Sequence, residues 1–271
     1  MNEQEKEGLT FWGHLEVLRG HLIRSAIAIF VLAIAAFIAK DIIFHQIILA
    51  PKEPFFFTNK AFCHIAERFS LPALCINAFP LKIINIEMAG QFTIHIMVSL
   101  IAGLILAVPF IFYEFWKFIK PALLKKEQDS AKHAVWKASA LFFAGVLFSY
   151  FIIVPLAINF LGSYQVSHLV ENHISLRSYI STVTMLTFAT GLVFELPVII
   201  FFLSRFGIIT PQAMRKNRKI AIVIIIAFSA VITPPDVFSQ ILVSIPVIIL
   251  YEFSIGIAGR QYKKRSKDLV A

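Results

Sequence analysis

The sequence predicts an all-α polytopic membrane protein: six transmembrane helices, both termini cytoplasmic, with short fifth and sixth spans. Three observations predict it. The 271 residues are 58% hydrophobic and only 15% charged, where a soluble domain is about half apolar and about a quarter charged. The apolar residues fall in long runs with the charges confined between them, as bilayer-crossing helices require. Lys and Arg are unevenly shared between alternate connections, which sets an orientation.

The elements follow in order. Thr10 to His21 repeats apolar side chains at helical spacing (Phe11, Leu15, Leu18, Leu22), with His14, Glu16 and Arg19 mostly off that stripe. Residues 1–21 thus read as an amphipathic helix at the cytoplasmic membrane surface, or as the entry to the first span. That span covers Leu22 to Phe44, with Arg24 and Lys40 near its ends, where long side chains reach water. Residues 46–90 form the first external loop; it is rich in turn formers and too long for a plain connection, so it carries local structure. The second span, Gln91 to Tyr113, contains no Asp, Glu, Lys or Arg. An aromatic belt and a basic loop holding Glu127 follow. The third span starts near Ala138 and ends between Pro155 and Gly162. The fourth runs from Ser178 to Ser204 with one acid, Glu195. Thr210 and Pro211 read as the cap and first position of a helix.

The fifth span, Ile220 to Pro235, is about 16 residues or roughly 24 Å, against a hydrocarbon core of roughly 30 Å. The reversal Thr233-Pro234-Pro235-Asp236 places Asp236 to cap the sixth span, Val237 to Gly256. A basic tail occupies residues 260–271. The whole reads as one six-span membrane domain.

Counting Lys and Arg alone, nineteen lie on one side of this arrangement and six on the other (Lys40, Lys52, Lys60, Arg68, Lys82 and Arg177). The richer side is cytoplasmic, so both ends are inside. The acidic start, Met1 to Glu7, does not read as a secretory signal. Cys63 and Cys75 fall outside the cytoplasm, where a disulfide between them can persist; buried free thiols are the other reading.

The net charge of +9 belongs to these flanking residues, and no reader motif for nucleic acid accompanies it. No phosphate-cradling loop and no H-E-x-x-H appear, and the eight histidines are scattered. No enzyme, cofactor or metal site is therefore expected. What remains is a set of carboxylates. Glu195 lies inside a span, where a carboxylate costs at least ~2.5 kcal/mol unless it faces a polar cavity, pairs or takes up a proton. Thr184, Thr187 and Thr190 precede it and give one face of that helix hydroxyls. Glu16 and Glu127 sit at the cytoplasmic side beside apolar surface. On these residues alone, a proton- or ion-coupled secondary transporter using Glu195 is a natural reading.

Five stretches together resemble a known family. They are H-L-E-V-L-R (His14 to Arg19), P-F-I-F-Y-E-F-W-K-F-I-K-P-A-L (Pro109 to Leu123, followed by Glu127), F-S-Y-F-I-I-V-P (Phe148 to Pro155), F-E-L-P (Phe194 to Pro197) and T-P-P-D-V-F-S-Q (Thr233 to Gln240). In this order they are similar to the multi-spanning C-subunit (TatC) family of the twin-arginine (Tat) protein translocase.

The resemblance implies a receptor for twin-arginine signal peptides. It implies partnership with single-span subunits of the TatA and TatB type, homo-oligomers in the bilayer of the bacterial inner membrane, and export of folded proteins driven by the proton-motive force. By position it implies that Glu127 contacts the signal arginines, with Arg19, Phe118 and Glu114 in the same region. It implies that Glu195 is the acid of the fourth span and that Pro51, Pro121, Asp236 and Gln240 serve structure or activity. The family signature places its acid immediately before Leu-Arg. Here Val17 holds that place and the acid is Glu16, about 100° around the helix. Glu16 is expected to contribute from that rotated position.

Overall fold

A computed structural model describes residues 11–71, 75–77, 81–120, 125–167, 172–233 and 236–268; for Phe11 and residues 125–134 and 264–268 it describes the backbone alone. The described chain is almost entirely helical: α1 (Phe11–Ile38), α2 (Phe57–Arg68), α3 (Gly90–Ile119), α4 (Lys125–Phe148), α5 (Val154–Ser163), α6 (Leu176–Val193), α7 (Leu196–Arg205), α8 (Pro211–Lys216), α9 (Arg218–Ile232) and α10 (Val237–Asp268). One two-residue parallel pair, β1 (Ile83–Ile84) with β2 (Ile174–Ser175), matches Ile83 to Ile174 and Ile84 to Ser175.

Among the described residues, five helical stretches are long and apolar enough to cross a membrane: Trp12–Ile38, Gly90–Ile119, Val135–Ser163, Leu176–Arg205 and Val237–Lys263. The expected fifth span is α9, whose 15 residues reach only about 22 Å.

Of the two readings of the start, the helix favours the entry to the first span, because α1 runs unbroken from Phe11 to Ile38. The helix of the sixth span outruns the span itself: α10 has 32 residues and continues through the basic tail, since Lys, Arg and Gln favour helix once the apolar run has ended. The fourth span, expected over Ser178 to Ser204, is one candidate crossing, Leu176–Arg205, with a helical break inside it. It divides into α6 and α7 at Phe194 and Glu195, with Pro197 in the first turn of α7, where its missing N–H is harmless.

The chain forms two compact units, residues 1–38 with 99–139, and residues 39–98 with 140–271. In the first unit, α1 and the greater part of α3 pack through small residues. A Cβ added to Gly103 would lie 2.5 Å from the backbone nitrogen of Ala33, so the two backbones touch, and Ala33, Ala36 and Ala107 are buried. Where lipid tails are as apolar as the side chains, close packing of small residues is a principal source of association.

In the second unit the core gathers Ile153, Val154, Ala157 and Ile158 with Ile180, Val183 and Leu186 of α6 and Val243 and Val247 of α10. The stretch Val135–Ser163 passes through a π-helical segment, Ser149–Ile153, before Pro155 opens α5. Pro155 has no N–H to give the carbonyl four residues back, and the Thr58 hydroxyl donates to that carbonyl, Phe151 O.

Thr58 is one of several polar ties that hold the segment between α1 and α3. Asn59 is fully buried and donates to Pro51 O (3.0 Å) and Glu53 O (2.8 Å). Asn77 donates to Asn59 Oδ1 (3.2 Å) and Pro155 O (3.1 Å), and its backbone N–H donates to Asn159 Oδ1 (2.9 Å). Asn77 has φ 49°, a left-handed conformation that Asn tolerates better than most residues. Tyr150 and Tyr179 donate to Ile47 O and Ile48 O. Cys63 and Cys75 are joined by a disulfide with Cα atoms 4.0 Å apart.

Candidate functional site

The carboxylates of the first unit are distributed over α1, the end of α3 and the start of α4. Glu114 lies on the last turns of α3 and is 3% exposed. A charge so buried needs partners, and α1 supplies two. Arg24 Nε donates to Glu114 Oε2 at 2.8 Å, and His21 Nδ1 lies 2.6 Å from the same oxygen. A bare lone pair there would face the carboxylate oxygen, so Nδ1 carries the proton and donates. Arg24 Nη2 also lies 2.8 Å from that nitrogen; both are donors, and the acceptor for this turn of α1 is Glu114 Oε2. The Phe118 ring meets His21 edge-to-face at 5.9 Å.

Residues three apart on a helix share a face, so His21 and Arg24 reach one acceptor from a single turn of α1. The cluster ties the early turns of α1 to the last turns of α3. Replacing Glu114 by Gln keeps its shape and removes its charge. We expect that variant to lose about 1.5–3 kcal/mol of stability, the range for hydrogen bonds to charged groups. Glu252→Gln, which breaks the exposed pair with Arg218 (2.8 Å), should cost only about 0–1 kcal/mol. Thermal unfolding of both variants in detergent checks this; equal losses would contradict it.

Glu16, Val17 and Arg19 are exposed on α1. Neither Glu16 nor Arg19 is in an ion pair among the described residues. The side chain of Glu127 lies outside the described residues, although its backbone belongs to the first turn of α4. Pro121 lies outside them entirely.

In the second unit, Glu195 is 7% exposed and caps α7 as the residue just before it. Its Oε1 has no hydrogen-bond partner among the described residues, and neither have the Thr187 and Thr190 hydroxyls. The three threonines do not form a wet face. Thr184, Thr187 and Thr190 are all buried, and Thr184 donates back to Ile180 O at 2.7 Å. Close packing of this region follows from glycine: a Cβ on Gly191 would lie 2.8 Å from the Phe142 ring, and one on Gly145 2.7 Å from the Phe194 ring. Asp236 caps α10, accepting from the Ser239 N–H at 2.6 Å. Gln240 donates to Ile226 O of α9 at 3.1 Å. Pro51 is buried in a short 3₁₀ turn, Ala50–Lys52.

The structure thus brings Glu114 and Phe118 together with His21 and Arg24, two residues that sequence reasoning had treated only as span-flanking positions. The available signal was Glu114 itself, since an acid in an apolar aromatic run calls for a cation at matching depth.

Comparison with known proteins agrees with this architecture. Residues 13–246 match the family described as Sec-independent protein translocase protein (TatC). The TatC protein of Blattabacterium sp. subsp. Periplaneta americana is 37% identical over 265 residues, covering 97% of this chain and 100% of that protein. TatCy of Bacillus subtilis is 31% identical, covering 100% of this chain and 97% of its own length. A crystal structure of the twin-arginine translocase receptor TatC superposes with TM-score 0.68 at 34% identity, over 90% of this chain and 97% of that one. A second, determined in the detergent DDM, gives 0.73 at 34% identity, over 90% and 99%. The chain belongs to the TatC family of Sec-independent protein translocases, membrane transport components of the Tat complex and not enzymes.

Proposed function

We propose that this chain is the signal-peptide receptor and core subunit of a twin-arginine translocase, exporting folded proteins across the bacterial inner membrane with the proton-motive force. The observation that carries this reading is the Glu114–Arg24–His21 cluster. It fixes the turn of α1 that follows Glu16 against the end of α3 that leads into the loop before Glu127. Glu114 is already taken by an internal guanidinium, so in this reading it positions the site. Gripping falls to Glu16, exposed and outside any ion pair among the described residues, and to Glu127. Two carboxylates suit two guanidinium groups, because Arg makes bidentate, charge-assisted bonds where Lys offers a point charge. Arg19 and Phe118 border the same surface.

In this reading both termini are cytoplasmic and α9 is a sixth crossing, the fifth in order. At about 22 Å it is shorter than the hydrocarbon core and thins the bilayer locally. Thinning and the buried Glu195 serve passage, with single-span subunits of the TatA and TatB type as partners and further copies of this chain in the complex. Pro51, Pro121, Asp236 and Gln240 serve the frame.

The test uses sealed vesicles containing this chain and the single-span subunits, with a folded fluorescent reporter behind a twin-arginine signal. Uptake should require the chain and disappear with a protonophore. Uptake that survives the protonophore would contradict the reading. Proton-coupled movement of a small solute by this chain alone would favour the secondary transporter.

A further inference from the structure

The β1–β2 pair lays residues 83–89 beside the start of α6. A cavity of about 320 Å³ opens there, lined by Asn85, Ile86, Glu87, Arg177, Ser178 and Ser181 among others, near the lower bound for ligand sites, roughly 300 Å³. Its position is fixed by the apolar helices. α3 begins at Gly90 and α6 at Leu176, so the cavity lies where two membrane-crossing segments start, at the level of lipid headgroups. Ile86 is 76% exposed and Met88 is fully exposed beside it, as suits contact with acyl chains.

The charges in the cavity are specific. Arg177 Nη1 donates to both oxygens of Glu87, at 3.2 and 3.3 Å, with both side chains about half exposed or more. One nitrogen serving two oxygens at these distances is a weak surface pair, and it leaves the other guanidinium donors without a partner among the described residues. Ser178 and Ser181 stand one helical turn apart, and their hydroxyls make no hydrogen bond among the described residues. The set offers cationic and hydroxyl donors on one side and a carboxylate acceptor on the other. A simple anion would meet Glu87, and a simple cation would meet Arg177.

We propose that this cavity binds a phosphoethanolamine headgroup. Its phosphate takes Arg177 and the hydroxyls of Ser178 and Ser181. Its primary ammonium takes Glu87, which exchanges its weak bond to Arg177 for donors of the ligand. A methylated ammonium has no N–H to give, so phosphocholine fits less well, and phosphoglycerol brings negative charge to Glu87 without a cation. Membrane phosphatidylethanolamine and soluble phosphoethanolamine compounds both carry this headgroup.

The full chain, purified in detergent, is titrated with short-chain phosphatidylethanolamine, phosphatidylcholine and phosphatidylglycerol, followed by native mass spectrometry. The ethanolamine lipid should bind about tenfold tighter than either other lipid, the worth of one charge-assisted hydrogen bond. Glu87→Gln should abolish that preference and raise phosphatidylglycerol binding. Ser181→Leu, which fills the cavity and keeps both charges, should weaken all three. These are surface positions, so thermal stability without lipid should stay unchanged. Competition by glycerophosphoethanolamine would show that the headgroup suffices; its failure beside intact lipid binding would assign the site to membrane lipid. Equal binding of the three lipids, or an unchanged preference in Glu87→Gln, would overturn the proposal.

Discussion

Gly103→Leu should prevent the first unit from forming. The Cβ alone would stand 2.5 Å from Ala33 N and 2.7 Å from Ala33 Cα. Both are backbone atoms, which no rotamer change can move. The helices must separate by more than an ångström, opening voids around Ala33 and Ala107. Overpacking commonly costs about 1–3 kcal/mol, and a displaced backbone contact places this change at or above the top of that range. Separation would also pull His21 and Arg24 from Glu114, leaving a buried carboxylate unpaired. Gly256→Leu is the control. Nothing lies within 4 Å of its Cβ, and the change removes a glycine penalty of about 1 kcal/mol from a helix. We expect Gly103→Leu to fail to accumulate as protease-resistant protein in membranes while Gly256→Leu accumulates normally. Equal accumulation would show that the backbones do not touch at Gly103.

Asn59→Leu should be nearly as severe, for the opposite physical reason. The volume is roughly kept, but Pro51 O and one N–H of the buried Asn77 amide lose their partner, while Glu53 O keeps the Phe56 N–H at 3.1 Å. Each buried group left unpaired costs about 1–3 kcal/mol, so the two together reach about 2–6 kcal/mol. Asn77 also holds Pro155 O, so the loss spreads to the start of α5. Asn172→Ala makes the contrast: that residue donates to Gly162 O and Tyr164 O at the surface, where water substitutes. Thermal unfolding should show a large loss for Asn59→Leu and almost none for Asn172→Ala.

The sequence was a good guide where a single run of residues decides the outcome. Apolar runs became α1, α3, the Val135–Ser163 stretch, α6 with α7, and α10. Thr210 caps α8, accepting from Ala213 N–H at 3.2 Å, and Asp236 caps α10, as residue type and position require. It was a poor guide where helix and bilayer part company. Apolar patterning marks where lipid ends, whereas backbone hydrogen bonding decides where a helix ends. α1 therefore begins before its span, and α10 continues past its own. The break at Glu195 was partly legible, because Pro197 has no N–H to give the carbonyl four residues back, at Val193. The apolar run that continues through Val198 to Leu203 concealed it.

The candidate site was legible in kind and not in arrangement. Glu16, Glu114 and Glu127 stand out as acids near apolar surface. That Glu114 is claimed by Arg24, ninety residues away in the chain, follows only from the packing of α1 on α3 through Gly103. The Asn59–Asn77 network is likewise a tertiary fact, since two asparagines among prolines read as turn residues.

The central claim is that this chain reads paired arginines with the carboxylates of its first unit. Binding of a twin-arginine signal peptide to the purified chain in nanodiscs tests it most directly, beside a Lys-Lys peptide and the Glu127→Ala variant. We predict that either change weakens binding by about tenfold or more, the loss of at least one charge-assisted hydrogen bond. Binding that is indifferent both to the arginines and to Glu127 would contradict the account.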